Sequence, residues 1–339
     1  MTSIDAWSMI SQAFVLLRRI IFCYRSGYRK FQVAAILPKR SNSDSAMKLV
    51  DYIEKIAIRE VLERPETYVT SEESDIAIRH VNAFLTEEEG RNRLVPPGRN
   101  DARRLLRALL NVRPPSRLPG DILRELDRLL WTERVEAGIV LPNDIVPISE
   151  SFGYPGRHGN VLCLWQGDIT RLEADAIVNA ANKALLGCFS PLHACIDNCI
   201  HSAAGPQLRE DCATIMAIQK QPETAGRAKI TRGYNLPARF VLHTVGPIVR
   251  SALTDQHREA LASCYVACLD LAAEVGGVGT IAFCSISTGV YSFPADEAAP
   301  IVVDTVSQWL DKNQDVFGKI IFDVYSQDDH EHYRRLFTR

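Results

Sequence analysis

Apolar positions change their spacing along this chain at about residue 160. Before that point they recur every three or four positions in several segments, a spacing typical of amphipathic helices. Beyond it, short apolar or β-branched runs alternate with longer runs of helical spacing, which is the pattern of an α/β fold with a largely parallel sheet. The pattern therefore predicts a helical segment followed by an α/β domain.

Four helices are predicted in the first half, because capping residues and prolines interrupt the apolar repeat at suitable intervals. They are expected from Met47 to before Pro65, from Ser71 onward, from an Asn100 or Asp101 cap to Pro114, and from 121 to 137 with Gly138 as the C-terminal cap. Three arginines of the third helix are expected to form a solvated face rather than a binding surface. They are Arg103, Arg104 and Arg107.

Strands and helices alternate in the second half. The strands are predicted at 161–165, 176–178, 240–244, 280–284 and 320–325, and the helices at 196–204, 207–219, 256–274, 296–312 and 329–337. Residues 141–160 are rich in Pro, Gly and Ser and are expected to form a linker. The predicted units are then a basic and apolar extension at 1–45, a helical segment at 46–140, this linker, and an α/β domain at 161–339.

The composition narrows the function classes. The 339 residues carry 39 basic and 41 acidic side chains, which give a net charge of −2. The protein therefore has no overall positive electrostatic field that would attract nucleic acid or an anionic membrane surface. The apolar runs near the start are shorter than the roughly 20 residues that a membrane span needs. We expect neither a nucleic-acid partner nor a membrane, and we expect a monomer.

The cysteines bear on the compartment. Most of the nine cysteines lie in apolar runs, and they do not form the dense pattern that the disulfide framework of a small secreted domain requires. A cytoplasmic protein is therefore expected. Residues 6–43 contain arginines and lysines but no acidic residue, a bias that mitochondrial transit peptides share. A mitochondrial location is therefore the alternative. A disordered extension or a misassigned start codon explains the bias about as well.

Polar residues follow several of the predicted strands, where open α/β sheets bind their ligands. Asp168 follows the first strand and could accept hydrogen bonds from an amino group, although Gly-Asp is also an ordinary turn pair. Asn179 and Asn182 lie at the end of the second strand, where an amide suits ribose hydroxyls but is also common in turns. His243 ends another strand and is expected to be a buried residue satisfied by the backbone.

Small residues and a glycine follow the strand at 280–284, in the segment from Ser285 to Tyr291. Such a segment leaves backbone N–H groups free to cradle a diphosphate, and Tyr291 could cover a sugar. The segment matches neither a Walker nor a dinucleotide-binding fingerprint. A phosphate loop and an ordinary turn therefore both remain open.

Cys188, His193 and Cys195 have the spacing Cys-x4-His-x-Cys. Three soft or borderline ligands so close together suit zinc, and an unfilled fourth position is typical of catalytic rather than structural zinc sites. Cys199 could fill that position one helical turn later, but its apolar neighbours favour a core residue. His201 is likewise expected to be a packing or helix-surface residue.

Asp197 follows the last candidate ligand by two residues, at the start of a predicted helix. The helix dipole favours an aspartate at that position. Beside an open zinc position, the same carboxylate could hold or deprotonate a water or a sugar hydroxyl. The spacing leaves both interpretations open.

Four stretches together resemble the macrodomain family, and specifically its zinc-containing subclass of MacroD-like protein ADP-ribosyl hydrolases. The stretches are Leu164-Trp-Gln-Gly-Asp-Ile-Thr170, Asp175-Ala-Ile-Val-Asn-Ala-Ala-Asn182, Gly187-Cys-Phe-Ser-Pro-Leu-His-Ala-Cys-Ile-Asp-Asn198 and Ile286-Ser-Thr-Gly-Val-Tyr291. The resemblance covers about residues 160–339 and extends more loosely to 100–145. It implies a three-layer α/β/α fold with ADP-ribose in its cleft, preceded by a smaller all-helical segment.

The same resemblance implies a role for each site residue. Asp168 and Ile169 would bind the adenine, Asn182 the distal ribose, Ser287, Thr288, Gly289, Val290 and Tyr291 the diphosphate, and Cys188, His193 and Cys195 one zinc ion. Asp197 would take the place of the family's catalytic aspartate, with Asn182 as its catalytic partner.

The implied reaction is hydrolysis of the bond between the anomeric carbon of the distal ribose and a protein side chain. The implied partners are ADP-ribosylated proteins and ADP-ribose. Two alternatives remain open. One is a non-catalytic module that reads ADP-ribose and uses zinc as a structural ion, and the other is a hydrolase of a free metabolite such as O-acetyl-ADP-ribose.

Overall fold

The computed structural model describes residues 47–60, 63–90 and 94–338, so the extension predicted at 1–45 lies outside the described residues. A six-stranded mixed sheet flanked by helices forms the larger part, as the expected α/β/α fold requires. A smaller all-helical part precedes it along the chain. None of the helices within the described ranges is both long and apolar enough to cross a bilayer.

Three helices form the smaller part, and all three confirm predictions from the sequence. They are α1 at Ser71–Glu88, α2 at Arg99–Val112 and α3 at Gly120–Ala137. Gly98 precedes α2, so the expected cap at Asn100 or Asp101 is wrong by two or more positions. Gly138 ends α3 as expected, with a φ of +81° that glycine adopts without strain.

The three helices share a core of their own, in which Val81, Leu106 and Leu126 are fully buried. Burying one such side chain contributes about 1.5–3 kcal/mol, so this core accounts for much of their association. The expected solvated arginine face of α2 is wrong for two of its three members. Arg103 forms a two-pronged ion pair with Glu133 of α3, and Arg107 donates to Asn198.

The first predicted helix is wrong, because its residues form three short 3₁₀ turns. The turns are Leu49–Asp51, Ile53–Lys55 and Ala57–Arg59. Tyr52 is 1% exposed, and its hydroxyl accepts a hydrogen bond from the backbone N–H of Ile230 at 3.1 Å. Ile56 is extended and interrupts any helical repeat. Contacts with the sheet, not a helical repeat, therefore place the apolar side chains of this segment.

Six strands form the sheet. They are β1 at Leu162–Gln166, β2 at Ala176–Ala180, β3 at Ala228–Arg232, β4 at Phe240–Thr244, β5 at Thr280–Phe283 and β6 at Lys319–Val324. Their order is β1-β6-β5-β2-β4-β3, with every neighbouring pair parallel except β3 and β4. Five strands confirm the sequence prediction. The edge strand β3 was not predicted, because its polar and apolar residues alternate and it lacks the apolar run of a central strand.

The remaining helices are α4 at Ile148–Ser151, α5 at Ile196–Ala204, α6 at Pro206–Gln219, α7 at Asp255–Val275, α8 at Ala295–Lys312 and α9 at Gln327–Phe337. The five longer ones confirm the prediction. Helices α5 and α6 pack against each other on one side of the sheet, and α7, α8 and α9 form the other layer. In the 141–160 segment, Ile145 and Ile148 are buried in the core of the sheet.

Replacing Tyr52 with phenylalanine is expected to destabilise the protein by about 1–3 kcal/mol, because the buried Ile230 N–H would lose its acceptor. The measurement is the free energy of unfolding from urea denaturation. Tyr68→Phe is the control, since the Tyr68 hydroxyl lies 3.5 Å from its acceptor, Glu125 O, and is partly exposed. Equal losses in the two variants would show that the Ile230 contact contributes nothing specific.

Candidate functional site

The carboxyl ends of β1, β2 and β5 meet at one edge of the sheet, because these strands run in the same direction. Asp168 follows β1, Asn182 follows β2, and residues 285–291 follow β5. Helix α5 begins at the same edge, with Asp197 in its first turn. The structure thus places the residues singled out in the sequence along one edge.

The Asp197 side chain is buried and held by two amides. Asn179 Nδ2 donates to Asp197 Oδ1 at 2.8 Å, and Asn182 Nδ2 donates to Asp197 Oδ2 at 3.1 Å. Burial raises the pKa of Asp197 to about 6, and the hydrogen bond from Asn179 is the largest influence in the opposite direction. Both the position and the orientation of this carboxyl group are therefore fixed.

A buried histidine orients Asn179. His243 Nδ1 lies 3.2 Å from Asn179 Nδ2, and His243 Nε2 lies 2.9 Å from Thr231 Oγ1. Burial lowers the pKa of His243 to about 3, so its ring is neutral, and the amide donor assigns Nδ1 as the acceptor. One amide hydrogen of Asn179 is thus used on His243 and the other on Asp197. The expected burial of His243 is confirmed, but its partners are side chains rather than the backbone.

The three expected metal ligands come together in the loop formed by residues 188–195. Cys188 Sγ lies 3.5 Å from His193 Nδ1, and together with Cys195 these ligand atoms all lie within 4.8 Å of one another. Cys195 is also the N-cap of α5, where its Sγ accepts the backbone N–H of Asn198 at 3.4 Å. The 188–195 loop and the helix that carries Asp197 therefore share a residue.

Asn182 contacts Asp197 and also Gly187, the residue that directly precedes the 188–195 loop. Its Nδ2 also donates to Gly187 O at 2.9 Å, and its Oδ1 accepts the Ala184 N–H at 2.9 Å. Gly187 has a φ of +79°, and a Cβ at this position would lie 2.9 Å from the His201 ring, so only glycine fits. The amide of Asn182 is thus engaged within the protein, and its contact with a ribose stays a prediction.

Cys199 and His201 lie outside this donor group. Among the described residues, the group at the loop does not include Cys199, whose Sγ lies 3.8 Å from Arg107 Nη2. His201 is 5% exposed, which confirms a packing residue. With Cys212 and His243 it forms a second, fully buried group of possible ligands. Both ring nitrogens of His243 already have side-chain partners, so we assign this second group to the core.

The segment after β5 forms a tight turn. Ser287 is buried and has a φ of +67°. Gly246 packs directly against it, since a Cβ there would lie 1.9 Å from Ser287 Oγ. Tyr291 O accepts the Val249 N–H at 2.9 Å, and Val290 at the tip is 70% exposed. The contact of this segment with a diphosphate stays a prediction.

The turn after β1 is stabilised by hydrogen bonds within the turn and by one hydrogen bond from the helical part. Asp168 Oδ1 accepts the backbone N–H and the hydroxyl of Thr170 at 3.0 and 2.7 Å. Arg134 of α3 donates to the same hydroxyl oxygen at 2.8 Å. Asp168 is exposed and Ile169 is buried. The site predicted for adenine is therefore in contact with the helical part.

Sequence reasoning missed two residues that surround the 188–195 loop. Arg209 of α6 donates to Leu110 O at 3.0 Å, and its guanidinium lies 4.5 Å from the centre of the Phe189 ring in the loop. Asn111 of α2 accepts the backbone N–H of Leu192 in the loop at 3.0 Å. Local sequence gave no signal for either residue, because these hydrogen bonds join residues at least 81 positions apart.

A cavity of about 850 Å³ lies at the opposite edge of the sheet, where β2 and β4 begin. Its charged lining includes Arg232 paired with Glu60 at 3.2 Å, and Arg239 paired with Asp175 at 3.5 Å. Because these charges compensate one another within the wall, we place the functional site at the carboxyl edge and not in this cavity.

The chain is similar in sequence to one protein family and to several proteins of known name. The Macro domain family model matches residues 178–302. A protein-ADP-ribose hydrolase from Treponema medium is 48% identical over 244 residues, which are 72% of this chain and 90% of the relative. A protein-ADP-ribose hydrolase from Staphylococcus aureus strain MSSA476 is 41% identical over 261 residues, which are 76% of this chain and 94% of the relative.

A solved structure shares the fold. The Trypanosoma brucei macrodomain in complex with ADP is 28% identical and superimposes with a TM-score of 0.52, covering 68% of this chain and 95% of that chain. The matched family region runs from the end of β2 into α8, so it includes Asn179, Asn182 and Asp197. The identity and coverage of these relatives show that the chain belongs to the macrodomain family.

Proposed function

We propose that this protein is a zinc-dependent hydrolase that removes mono-ADP-ribose from modified side chains of other proteins. Relatives that share 48% and 41% identity with it over most of their length are named protein-ADP-ribose hydrolases. The observation that carries the proposal is the buried carboxyl group of Asp197, which lies two residues after Cys195. Two side-chain amides orient this group. Catalytic acids and bases need pKa values shifted from their ordinary range, so a buried carboxyl group with a raised pKa supports a catalytic role for Asp197.

In the proposed reaction a water attacks the anomeric carbon of the distal ribose, and the bond from that carbon to the modified side chain breaks. Asp197 accepts a proton from the water as the new carbon–oxygen bond forms. The side chain leaves with the bonding electron pair and takes up a proton, which yields free ADP-ribose and the unmodified protein. Each Asp197 oxygen accepts one amide hydrogen, and a carboxylate oxygen has a further lone pair available for this step.

The donor atoms of the 188–195 loop fit zinc. Cys188, His193 and Cys195 present two sulfurs and one nitrogen, which are soft and borderline ligands. His193 is exposed and the two cysteines are half-buried, so the donors are accessible from solvent. Three protein ligands leave one coordination position for a small molecule, as in catalytic zinc sites. When bound, the ion supplies a Lewis acid that polarises an oxygen of the substrate or of water.

ADP-ribose would lie along the carboxyl edge of the sheet. Asp168 and Ile169 would bind the adenine at the end of β1, and residues 287–291 would wrap the diphosphate after β5. The distal ribose would then lie beside Asp197. Asn182 would assist there by keeping Asp197 Oδ2 in place, through the hydrogen bond of 3.1 Å that already joins them.

Asp197→Ala is expected to slow the release of ADP-ribose from a mono-ADP-ribosylated protein by at least about 100-fold, because general-base assistance is worth about 10²–10⁴-fold. Affinity for free ADP-ribose, measured by calorimetry, is expected to persist. Asp255→Ala is the matched control, since Asp255 also lies in the first turn of a helix, α7, but its side chain is 91% exposed. Its release rate is expected to equal that of the wild type.

Undiminished release by the Asp197 variant would refute the proposed base. The substrates for this assay are proteins modified on Asp/Glu, Ser, Arg or Lys. A wild-type protein that binds ADP-ribose but releases none from any of them would be a reader of the modification. Turnover of O-acetyl-ADP-ribose alone would identify a hydrolase of that metabolite instead.

The purified protein is expected to hold one zinc ion per chain, and Cys188→Ala is expected to lose both the ion and the activity. Because Cys199 lies outside the donor group, Cys199→Ala is expected to keep the ion. Metal content is measured by plasma mass spectrometry after gel filtration, with circular dichroism as the check of folding. Zinc loss in the Cys199 variant would identify a fourth ligand and a closed site, and activity after verified zinc removal would rule out a catalytic metal.

A further inference from the structure

The Asn111 side chain of helix α2 contacts the 188–195 loop directly. Asn111 is 2% exposed, and its Oδ1 accepts the backbone N–H of Leu192 at 3.0 Å. Its Nδ2 donates to Ser202 Oγ in α5 at 3.0 Å. A single buried amide therefore joins the helical part to the 188–195 loop and to the helix that carries Asp197.

The backbone of the loop is strained at the point where Asn111 holds it. Leu192 has a φ of +58°, a left-handed conformation that is unfavourable for a residue with a Cβ atom. Leu192 directly precedes His193, so this conformation sets the direction in which the imidazole leaves the backbone. The hydrogen bond from the Leu192 N–H to Asn111 thus stabilises the strained residue itself.

A second contact runs from α2 to the loop by way of α5. Arg107, one turn before Asn111, donates to Asn198 Oδ1 at 2.9 Å. Asn198 Nδ2 in turn lies 3.3 Å from Cys188 O and 3.1 Å from Ser190 O, and it donates to these carbonyls. Helix α2 is therefore connected to the loop directly at Leu192 and, through Asn198, at Cys188 and Ser190.

We propose that Asn111 is a positioning residue for the metal donors, and that the helical part thereby contributes to the geometry of the site. The inference rests on the proposed zinc site. Asn111 acts through Leu192, and without its hydrogen bond the loop is expected to move His193 away from the two cysteines. The expected consequence is weaker retention of zinc, separate from any effect on global stability.

Asn111→Ala is expected to release zinc to a chromogenic chelator at least about tenfold faster than the wild type, a change of about 1.4 kcal/mol. Asn111→Leu keeps a side chain that branches at Cγ but has no acceptor, so it is expected to behave in the same way and serves if the alanine variant folds poorly. In zinc-free protein, amide hydrogen exchange across residues 188–195 is expected to quicken in both variants, because the Leu192 N–H loses its acceptor.

Two control variants separate this role from general destabilisation. Asn82 is also a fully buried asparagine of the helical part, and its Nδ2 donates to Ala102 O at 2.8 Å within that part. Ser202→Ala removes the other partner of Asn111 and the bond of 3.2 Å from Ser202 Oγ to Asn198 Oδ1, and it leaves the bond to Leu192 in place. Asn82→Ala and Ser202→Ala are both expected to release zinc and exchange amides as the wild type does.

Wild-type rates of zinc release and of exchange in both Asn111 variants would overturn the inference. An equal acceleration in Asn82→Ala would reduce the effect to general destabilisation. An equal acceleration in Ser202→Ala would assign the effect to the contacts of Ser202 with Asn111 and Asn198, and would overturn the route through Leu192. If the wild-type protein holds no zinc, the zinc assignment fails, and the exchange rates of the loop alone decide whether Asn111 positions it.

Discussion

The buried carboxyl group of Asp197 sets the geometry of the whole site. A carboxylate inside a protein is costly unless hydrogen bonds replace the lost water, and here Asn179 and Asn182 each donate to one of its oxygens. Asn179 belongs to β2, and Asn182 holds the turn that leads into the 188–195 loop. The end of a strand, the entrance to the loop and the start of α5 must therefore keep their relative positions for the carboxyl group to remain satisfied.

Burial shifts the pKa values of Asp197 and His243 in opposite directions, and both shifts are compatible with the hydrogen bonds of Asn179. It raises the pKa of Asp197 to about 6 and lowers that of His243 to about 3, because a dry interior disfavours both charged forms. A neutral imidazole has a free lone pair on Nδ1, whereas a protonated ring has none. The neutral state of His243 therefore allows Asn179 to donate both of its amide hydrogens inward, one to the ring and one to the carboxyl group.

The helical part gives the irregular loop a rigid neighbour. Its three helices have a core of their own, so α2 presents fixed side chains to the 188–195 loop and to α5. On another side, Arg209 donates to the carbonyl of Leu110 and stacks on Phe189 of the loop. A loop that carries strained backbone at Leu192 thus derives its shape from elements distant in sequence.

The sequence by itself determined eight of the helices, five of the six strands of the sheet and the Cys-x4-His-x-Cys donor set, because each is a property of a short stretch of chain. Only the tertiary structure decided that Tyr52 anchors a series of turns, and that Asn179, His243 and Asn111 support the site. The hydrogen bonds from Asn179 to His243, from Leu192 to Asn111 and from Ile230 to Tyr52 join residues 64, 81 and 178 positions apart. Nothing in their local spacing marks such contacts, because long-range hydrogen bonds form only after the core has fixed the separation between elements.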